Sequence, residues 1–304
     1  MVWLQFRRRI VRGAVWLAFT AMALAGGWNL GRADDVGWAP VDDPIRFLRL
    51  AQDEDSRPKS LEVAVLRCVP IDADTSDPIV DLVSAIHVAE PDFYAQLNRE
   101  FARYEVVLYE LVAPEGARVP KGGGHGAANP VSLIQRGLTD LLELQFQLDG
   151  IDYTPENFVH ADMSPEQFAR SMRDRGESFG DMFFRMMGYN LARQSEGAGT
   201  TSDAQLLMAL FSGNRAMALR RVMAEQFDTM QGAFNVIDGP DGSTLIAERN
   251  KVALDVLRKQ LDAGRQKVAI FYGAGHMDDM VARLRDDFGL APAEVRWVTA
   301  WKLQ

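Results

Sequence analysis

The sequence is poor in the two residue types that most often bind metals or form covalent intermediates. Its 304 residues include one cysteine, Cys68, and four histidines. A single cysteine excludes an intramolecular disulfide framework. The valines and leucines around Cys68 are typical of a strand, which favours a small buried side chain over a nucleophile. Any metal or acid–base chemistry that uses imidazole must therefore rest on four histidines, so each of them is a candidate to be weighed.

Common catalytic and nucleotide-binding motifs are also missing. The sequence contains no Gly-x-Ser-x-Gly nucleophile elbow, no His-Glu-x-x-His zinc motif and no P-loop. The glycine-rich residues 122–126 do not follow a strand and lack the dinucleotide-binding fingerprint. These absences exclude the motif-bearing serine hydrolases, the common zinc peptidases and the P-loop nucleotidases.

Long hydrophobic runs are absent except near the amino terminus. Four arginines between positions 7 and 12 precede the apolar residues 14–28, and a small-residue cleavage pattern ends at Ala33. This order is typical of a signal peptide over residues 1–33, with a cut after Ala25 as the alternative. Because the apolar stretch is near the shortest length that spans a bilayer, an uncleaved anchor remains the second interpretation. We therefore expect an exported protein, periplasmic or at the cell surface. If the N-terminal segment is not cleaved, that segment is the expected contact with the membrane.

The chain after this segment is strongly acidic. The whole sequence carries a formal charge of −9, from 33 basic and 42 acidic residues. Removal of residues 1–33 takes away five arginines and no acid, which leaves a formal charge of −14. Such a surface repels nucleic acid and anionic lipid, so we expect no nucleic-acid partner.

The remaining patterns predict an α/β domain over residues 61–304, after a polar linker over residues 34–60. Periods of two and of 3.6 residues alternate along most of this domain. Helical spacing dominates residues 131–230, which we expect to form a helical insertion. Strands are predicted at residues 61–69, 79–87, 104–112, 267–272 and 295–303, and helices at residues 90–104, 165–175, 203–230 and 244–263.

Two segments share one layout of strand, small residue, two residues, histidine, helix and strand. The first contains Ser84 and His87, and the second contains Gly273 and His276. The shared layout predicts a mixed sheet built from two pseudo-symmetric units. Both histidines then lie at the carboxyl end of a strand just before a helix, where open α/β sheets bind ligands.

His87, Glu110 and His276 are the candidate metal ligands. Imidazole is the commonest protein metal ligand, and a carboxylate often completes such a site. Glu110 lies in a predicted apolar strand, where a carboxylate is costly unless it is paired or metal-bound. Taken alone, each histidine is more often a structural or surface residue, and Glu110 could instead pair with an arginine such as Arg249.

Several accessory positions allow two interpretations each. Arg249 and Asn250 lie in a periodic helix and either face solvent or reach the crevice, where Arg249 would hold a carboxylate or an oxyanion. His160 and Asp162 precede a predicted helix, which Asp162 could simply cap. The Phe- and Met-rich residues 182–187 are either core or the lining of an apolar substrate groove, and core is the commoner case.

Taken in order, these segments resemble the TraB/PrgY/GumN family, which includes the TIKI proteases. The resemblance covers residues 61–303, and its most specific part is the pair of small-x-x-His motifs with the glutamate and Arg-Asn pair between them. One departure is Ser84, which stands where the first motif has glycine. The matching segments are residues 81–87, 107–110, 153–163, 248–250 and 271–276.

The resemblance implies a fold related to the erythromycin esterases and the haem-binding ChaN proteins. It also implies a divalent-metal-dependent peptidase that uses manganese or cobalt, with zinc as the alternative ion. In the family pattern the two histidines and the glutamate form the centre, which places it at His87, Glu110 and His276. Arg249 matches the family's arginine.

The leading hypothesis is a metal-dependent hydrolase, a TIKI-like peptidase that acts on a peptide or protein outside the cytoplasm. In it, Glu110 is the third metal ligand or a general base, and Arg249 stabilises developing negative charge. The first alternative is a non-catalytic exported protein that binds a metal, haem or a peptide in the same crevice. The second alternative is an anchored interaction protein whose helical region, residues 131–230, binds a partner.

Overall fold

The structure is a computed structural model. It describes residues 37–304 except 43, 73–77, 115, 118, 120–140, 179, 181–204, 206–207, 210 and 240, and it omits the side chains of residues 228–237. The chain divides into a unit of residues 1–38 and a unit of residues 39–304. The predicted signal segment and residues 182–187 lie outside the described residues. In the described part, no helix is long and apolar enough to cross a membrane.

Strands and helices alternate along most of the second unit. A π-helical turn occupies Thr244–Glu248, and a 3₁₀ turn occupies Ala274–His276. The helices are α1 (Pro91–Phe101), α2 (Gln147–Gly150), α3 (Pro165–Asp174), α4 (Arg215–Asp238), α5 (Arg249–Asp262) and α6 (Met277–Phe288). The strands are β1 (Ala39–Pro40), β2 (Leu48–Gln52), β3 (Pro58–Pro70), β4 (Ile79–Ala85), β5 (Val88–Ala89), β6 (Val106–Tyr109), β7 (Gln145–Phe146), β8 (Phe158–His160), β9 (Lys267–Gly273) and β10 (Leu290–Lys302).

One mixed sheet forms the centre of the unit. Its strand order is β1-β10-β3-β4-β9-β6-β8, and β2 pairs with the first part of β3. The four strands β4, β9, β6 and β8, in that order across the sheet, are parallel to one another. The pairs that involve β1, β2, β3 or β10 are antiparallel. The predicted α/β class with a mixed sheet is confirmed. Because β4, β9, β6 and β8 run in one direction, their carboxyl ends lie at the same edge of the sheet.

Helices cover both faces of the parallel strands, which explains why those strands are apolar at nearly every position. On one face, Leu82, Leu108 and Ile270 pack in a buried cluster with side chains of α5 and α6. On the other face, Phe101 of α1 packs its ring 5.0 Å from the ring of Phe271. The sheet is therefore buried on both sides, and its edge is left as the place for a polar site.

The segment predicted as a linker, residues 34–60, contains β1, β2 and the start of β3 instead. Phe47 and Leu48 are buried, and β2 pairs with β3 from Leu48 to Gln52. The difference arises because β2 is a short strand whose apolar residues are interrupted by Arg49. Such a segment is stabilised by pairing with a distant strand rather than by its own periodicity.

The predicted helical region, residues 131–230, contains strands as well as helices within its described parts. Strand β8 joins the central sheet through pairs such as Leu108↔Val159, and β7 pairs with β5. The structure has β7 at Gln145–Phe146 and β8 at Phe158–His160, and no strand was predicted at either position from the sequence. Strands of two or three residues are too short to produce a readable alternation of apolar and polar positions.

Candidate active site

Neighbouring parallel strands bring the predicted site residues to one edge of the sheet. His87 follows β4 by two residues, Glu110 follows β6 directly, and His276 ends the 3₁₀ turn after β9. These three residues and Arg249 line a common cavity of about 350 Å³. Glu110 therefore lies just beyond its strand rather than inside it, which places its carboxylate in the cavity instead of the apolar core.

Arg249 links two carboxylates at the base of this cavity. Its Nη2 donates to Glu110 Oε1 at 2.7 Å and to Asp162 Oδ2 at 2.6 Å, and its Nε donates to Asp162 Oδ1 at 2.9 Å. The Asp162 side chain is completely buried. A bidentate pair of this kind fixes the plane of the guanidinium group. Asp162 therefore positions Arg249, and Ser164 provides the capping box of α3.

Glu110 is an ionised carboxylate held by charge and by the backbone. Its Oε2 accepts a hydrogen bond from the Gly273 N–H at 2.7 Å, and a Cβ on Gly273 would lie 3.3 Å from the same oxygen. Burial alone would raise the pKa of Glu110. His276, Arg249, the Gly273 N–H and His87 together lower that pKa to about 2. Glycine at position 273 thus allows the backbone to approach the carboxylate closely.

His276 is held in one tautomer by Asn250. The amide Nδ2 of Asn250 donates to His276 O at 3.0 Å and to Asp279 Oδ2 at 2.8 Å, so its Oδ1 faces His276 Nδ1 at 2.7 Å. Because Oδ1 can only accept, Nδ1 carries the proton and Nε2 keeps its lone pair. Burial and the nearby Arg249 lower the pKa of His276 despite the Glu110 carboxylate, which favours this neutral form.

His87 is held in the same way by a glutamine. Gln147 donates through Nε2 to the Tyr153 hydroxyl at 3.1 Å, which leaves its Oε1 facing His87 Nδ1 at 3.3 Å. The backbone N–H of Gln147 also donates to His87 O at 2.8 Å. Gln147 was not among the residues predicted from the sequence. Its distance of 60 residues from His87 leaves no local spacing that could have indicated the contact.

His160 takes no part in this cavity. Its Nε2 donates to Leu111 O at 2.6 Å, and its ring packs against Tyr109. The contact ties the end of β8 to the residues that follow β6. Among the accessory residues of the sequence analysis, the structure therefore brings Asp162 and Asn250 to the site and leaves His160 in a supporting contact.

The donor set fits a divalent metal in kind. Two imidazole Nε2 atoms and a carboxylate are suitable ligands, and each histidine has the outer hydrogen bond that orients metal-binding imidazoles. His276 Nε2 lies 3.6 Å from Glu110 Oε1 and 3.5 Å from Arg249 Nη1. Among the described residues, however, no group of three or more His, Cys, Asp or Glu side chains is gathered closely enough to hold an ion. The His87 side chain is exposed, whereas His276 is buried beside Glu110, and the three do not form a closed ligand set in this structure.

Comparison of the chain with protein-family models, curated proteins and solved structures finds no match. The resemblance to the TraB/PrgY/GumN family therefore stays a prediction from the sequence. The geometry of the cavity and of the four polar residues in it supplies the physical basis for a functional proposal.

Proposed function

We propose that the chain is a divalent-metal-dependent hydrolase, a peptidase that acts outside the cytoplasm. One observation carries the proposal. Two histidines, each with Nδ1 held by an amide oxygen, line the same cavity as an ionised carboxylate. This arrangement directs the remaining nitrogen, Nε2, to the role of metal donor.

In this proposal His87, His276 and Glu110 hold the ion. Manganese or cobalt is the ion that the family resemblance favours, and zinc is the alternative. A bound divalent ion supplies a Lewis acid and lowers the pKa of a water molecule. Glu110, with a pKa of about 2, holds protons too weakly to serve well as a general base at neutral pH. We therefore assign it the role of ligand.

Arg249 has one part of its guanidinium group available for a substrate. Its Nε and Nη2 donate to carboxylates, whereas Nη1 makes only long contacts, 3.4 Å to Leu245 O and 3.5 Å to His276 Nε2. A group oriented by two carboxylates and lining the cavity can donate to an oxyanion without reorganisation. We assign stabilisation of the developing negative charge to Arg249 Nη1.

The finer assignments of fold and location belong to the same proposal. Strands β4 and β9 are adjacent and parallel, and each is followed by a histidine and then a helix, α1 or α6. This symmetry supports two related half-units and a fold akin to the erythromycin esterases and ChaN proteins. The signal-peptide pattern of residues 1–33 supports export to the periplasm or the cell surface.

A second candidate is a binding protein without catalysis, for a metal, haem or a peptide. One observation favours it. Both oxygens of Glu110 and all three guanidinium nitrogens of Arg249 already have protein partners, although those of Nη1 are long. A network that is complete without substrate is also what a structural ion pair would show.

The test combines metal content with turnover. The full chain is stripped with a chelator, loaded with manganese, cobalt or zinc, and analysed by elemental mass spectrometry, and a defined peptide mixture is assayed for cleavage by mass spectrometry. We expect about one ion per chain and metal-dependent cleavage, both lost in the His87→Ala, His276→Ala double variant. His160→Gln, which changes a histidine outside the cavity, serves as the control and keeps both. Equal metal in the double variant would refute the metal centre, and metal without cleavage would favour the binding protein.

A further inference from the structure

Beyond its polar base, the cavity is walled by hydrocarbon. The walls come from β2, α4, the π-helical turn and β10, which meet over the carboxyl end of the sheet. Apart from the two histidines, Glu110 and Arg249, the lining residues in the described part of the chain are apolar or glycine. The principal contributors are Leu48, Leu142, Met223, Phe227, Ile246 and Trp301.

Within the described residues, the charged side chains of the cavity already pair with each other. Glu110 and Arg249 are its only charged side chains within the described residues, and they pair with each other at 2.7 Å. A Lys, Arg, Asp or Glu side chain entering the apolar part would be desolvated without a partner, which is strongly unfavourable. The volume of about 350 Å³ is near the lower end of the range of roughly 300–1,000 Å³ for ligand sites. It suits a single bulky side chain better than an extended cofactor.

Strand β10 and helix α4 hold the apolar wall in place. Trp301 is buried, donates from Nε1 to Val88 O at 2.6 Å, and meets the ring of Phe227 edge-on at 5.5 Å between centroids. With its only donor already used, the indole presents hydrocarbon alone. Met223 and Phe227 are four residues apart on α4 and therefore share one face of that helix. A flexible methionine beside a fixed aromatic pair can adapt to side chains of different shapes.

We propose that this cavity is the primary specificity pocket of the enzyme. It accepts a bulky uncharged aliphatic or aromatic side chain next to the peptide bond at the polar base, and Met223 and Phe227 select that side chain. The inference rests on the proposed hydrolase function for the reaction, while the preference of the pocket can also be measured as binding.

The first test is a charge exchange in the pocket wall. The full chain, loaded with manganese, is given peptides that vary at one position, and kcat/KM is measured for each. We expect Phe, Leu and Met to exceed Asp, Lys and Gly by about tenfold or more, as is usual for apolar pockets. Met223→Asp should lower the value for Phe and raise that for Lys, each about tenfold. Met217→Asp, the same change at a half-buried methionine of α4 outside the cavity, should keep the wild-type preference.

The second test measures binding without turnover. N-acetyl-phenylalaninamide and N-acetyl-lysinamide are titrated into the metal-free full chain and followed by ligand-observed NMR. Tighter binding of the phenylalanine probe to the wild type, with the order reversed in Met223→Asp, supports the pocket even if no peptide is cleaved. Equal binding of the two probes, or an unchanged order in a folded Met223→Asp protein, overturns the proposal. Should that variant fail to fold, Met223→Trp replaces it. Because tryptophan would fill the cavity, Met223→Trp should bind N-acetyl-alaninamide more tightly than the phenylalanine probe, the reverse of the wild-type order. If Met223→Trp still binds the phenylalanine probe more tightly, the proposal is overturned.

Discussion

Among the described residues, Ser84 is the one buried polar side chain whose oxygen or nitrogen has no hydrogen-bond partner. Asp81, which is fully buried, accepts from Arg67 at 3.0 and 3.1 Å and from the Tyr104 hydroxyl at 2.7 Å. The Ser84 side chain is equally buried, yet its Oγ has no hydrogen-bond partner among the described residues. A buried hydroxyl without a partner costs about 1–3 kcal/mol, because its bonds to water are lost and not replaced.

We therefore expect Ser84→Ala to keep or raise the free energy of unfolding, by up to about 1 kcal/mol. The measurement is urea unfolding followed by circular dichroism. Ser60→Ala is the matched control, because the buried Ser60 donates to Glu62 Oε1 at 3.0 Å and its loss should lower the free energy of unfolding by about 1 kcal/mol. A marked loss of stability in Ser84→Ala would show that the hydroxyl has a partner after all.

The lowered pKa of Glu110 predicts how the free energy of unfolding depends on pH. Its pKa falls from an ordinary 4.5 to about 2 in the folded chain. A carboxylate with a lower pKa in the folded state stabilises the fold above pH 4.5, and this contribution is lost as the pH falls towards 2. In the chelator-treated protein, the stability difference between wild type and Glu110→Gln should therefore be largest at neutral pH and shrink below pH 4.5.

The measurement is the free energy of unfolding in urea at pH values from 7 down to 3. Glu156→Gln removes an exposed carboxylate that precedes β8, at the end of that strand opposite the site, and serves as the control, with an expected change within about 0.5 kcal/mol at neutral pH. A constant difference between wild type and Glu110→Gln across this range would contradict the assigned ion pair with Arg249.

At the scale of elements, α2 supports the loop that carries His87. Gly150, the last residue of α2, lies against the ring of Tyr94, and a Cβ at position 150 would overlap that ring. Tyr94 is fully buried and donates to Ile86 O at 2.9 Å, one residue before His87. The glycine thus permits a close contact that holds the end of β4.

Gly150→Ala should lower the free energy of unfolding by about 1–3 kcal/mol, since a methyl group would be forced into a packed interior. It should also weaken metal binding, because displacement of Tyr94 moves the backbone before His87. Thermal unfolding and metal titration measure the two effects. Gly213→Ala, at a position where an added Cβ meets nothing within 4 Å, should change neither quantity appreciably. Wild-type behaviour of Gly150→Ala would refute the supporting role of α2.

Element boundaries show where sequence patterns succeed and where they do not. The strands predicted at residues 61–69, 79–87 and 267–272 correspond to β3, β4 and β9, because long apolar runs report burial on both faces directly. Residues 244–263 were expected to form one helix, but a π-helical turn occupies Thr244–Glu248 and α5 begins at Arg249. The apolar period does not distinguish the two, since a π turn adds only one residue per turn. In this structure the change of helix type occurs just before Arg249 and Asn250, both of which face the site.

For the whole molecule, the proposed metal centre predicts that stability depends on metal concentration. A ligand that binds only the folded state stabilises it by about 2.7 kcal/mol when its free concentration is 100 times Kd. Manganese or cobalt should therefore raise the Tm of the wild-type chain in calorimetry. The His87→Ala, His276→Ala double variant should show no such rise, whereas His160→Gln should respond as the wild type does. An equal rise in the double variant would place the ion elsewhere on the chain.

Much of the candidate site follows from local sequence alone. Apolar runs followed by His87 or His276 mark strand ends, and parallel strand ends share one edge of a sheet. Glu110 was expected inside its strand, and the structure places it directly after β6 instead. The pairing of Glu110 with Arg249 was one of the alternatives that a carboxylate next to an apolar strand suggested. These inferences succeed because burial and strand polarity leave a short-range signature in the chain.

The contacts that tune the site have no such signature. Three features of the site join segments that are 60 or more positions apart in the sequence. They are the hydrogen bond between His87 and Gln147, the bidentate pair of Asp162 with Arg249, and the packing of Trp301 against Met223 and Phe227 of α4 in the apolar wall. Local patterns report how each segment is buried, but they carry no information on which distant segments meet. The packing of α2 and α5 against the sheet edge brings Gln147 and Asn250 to the two histidines and so determines their tautomers, while the packing of α4 and β10 over that edge determines the apolar chemistry of the cavity.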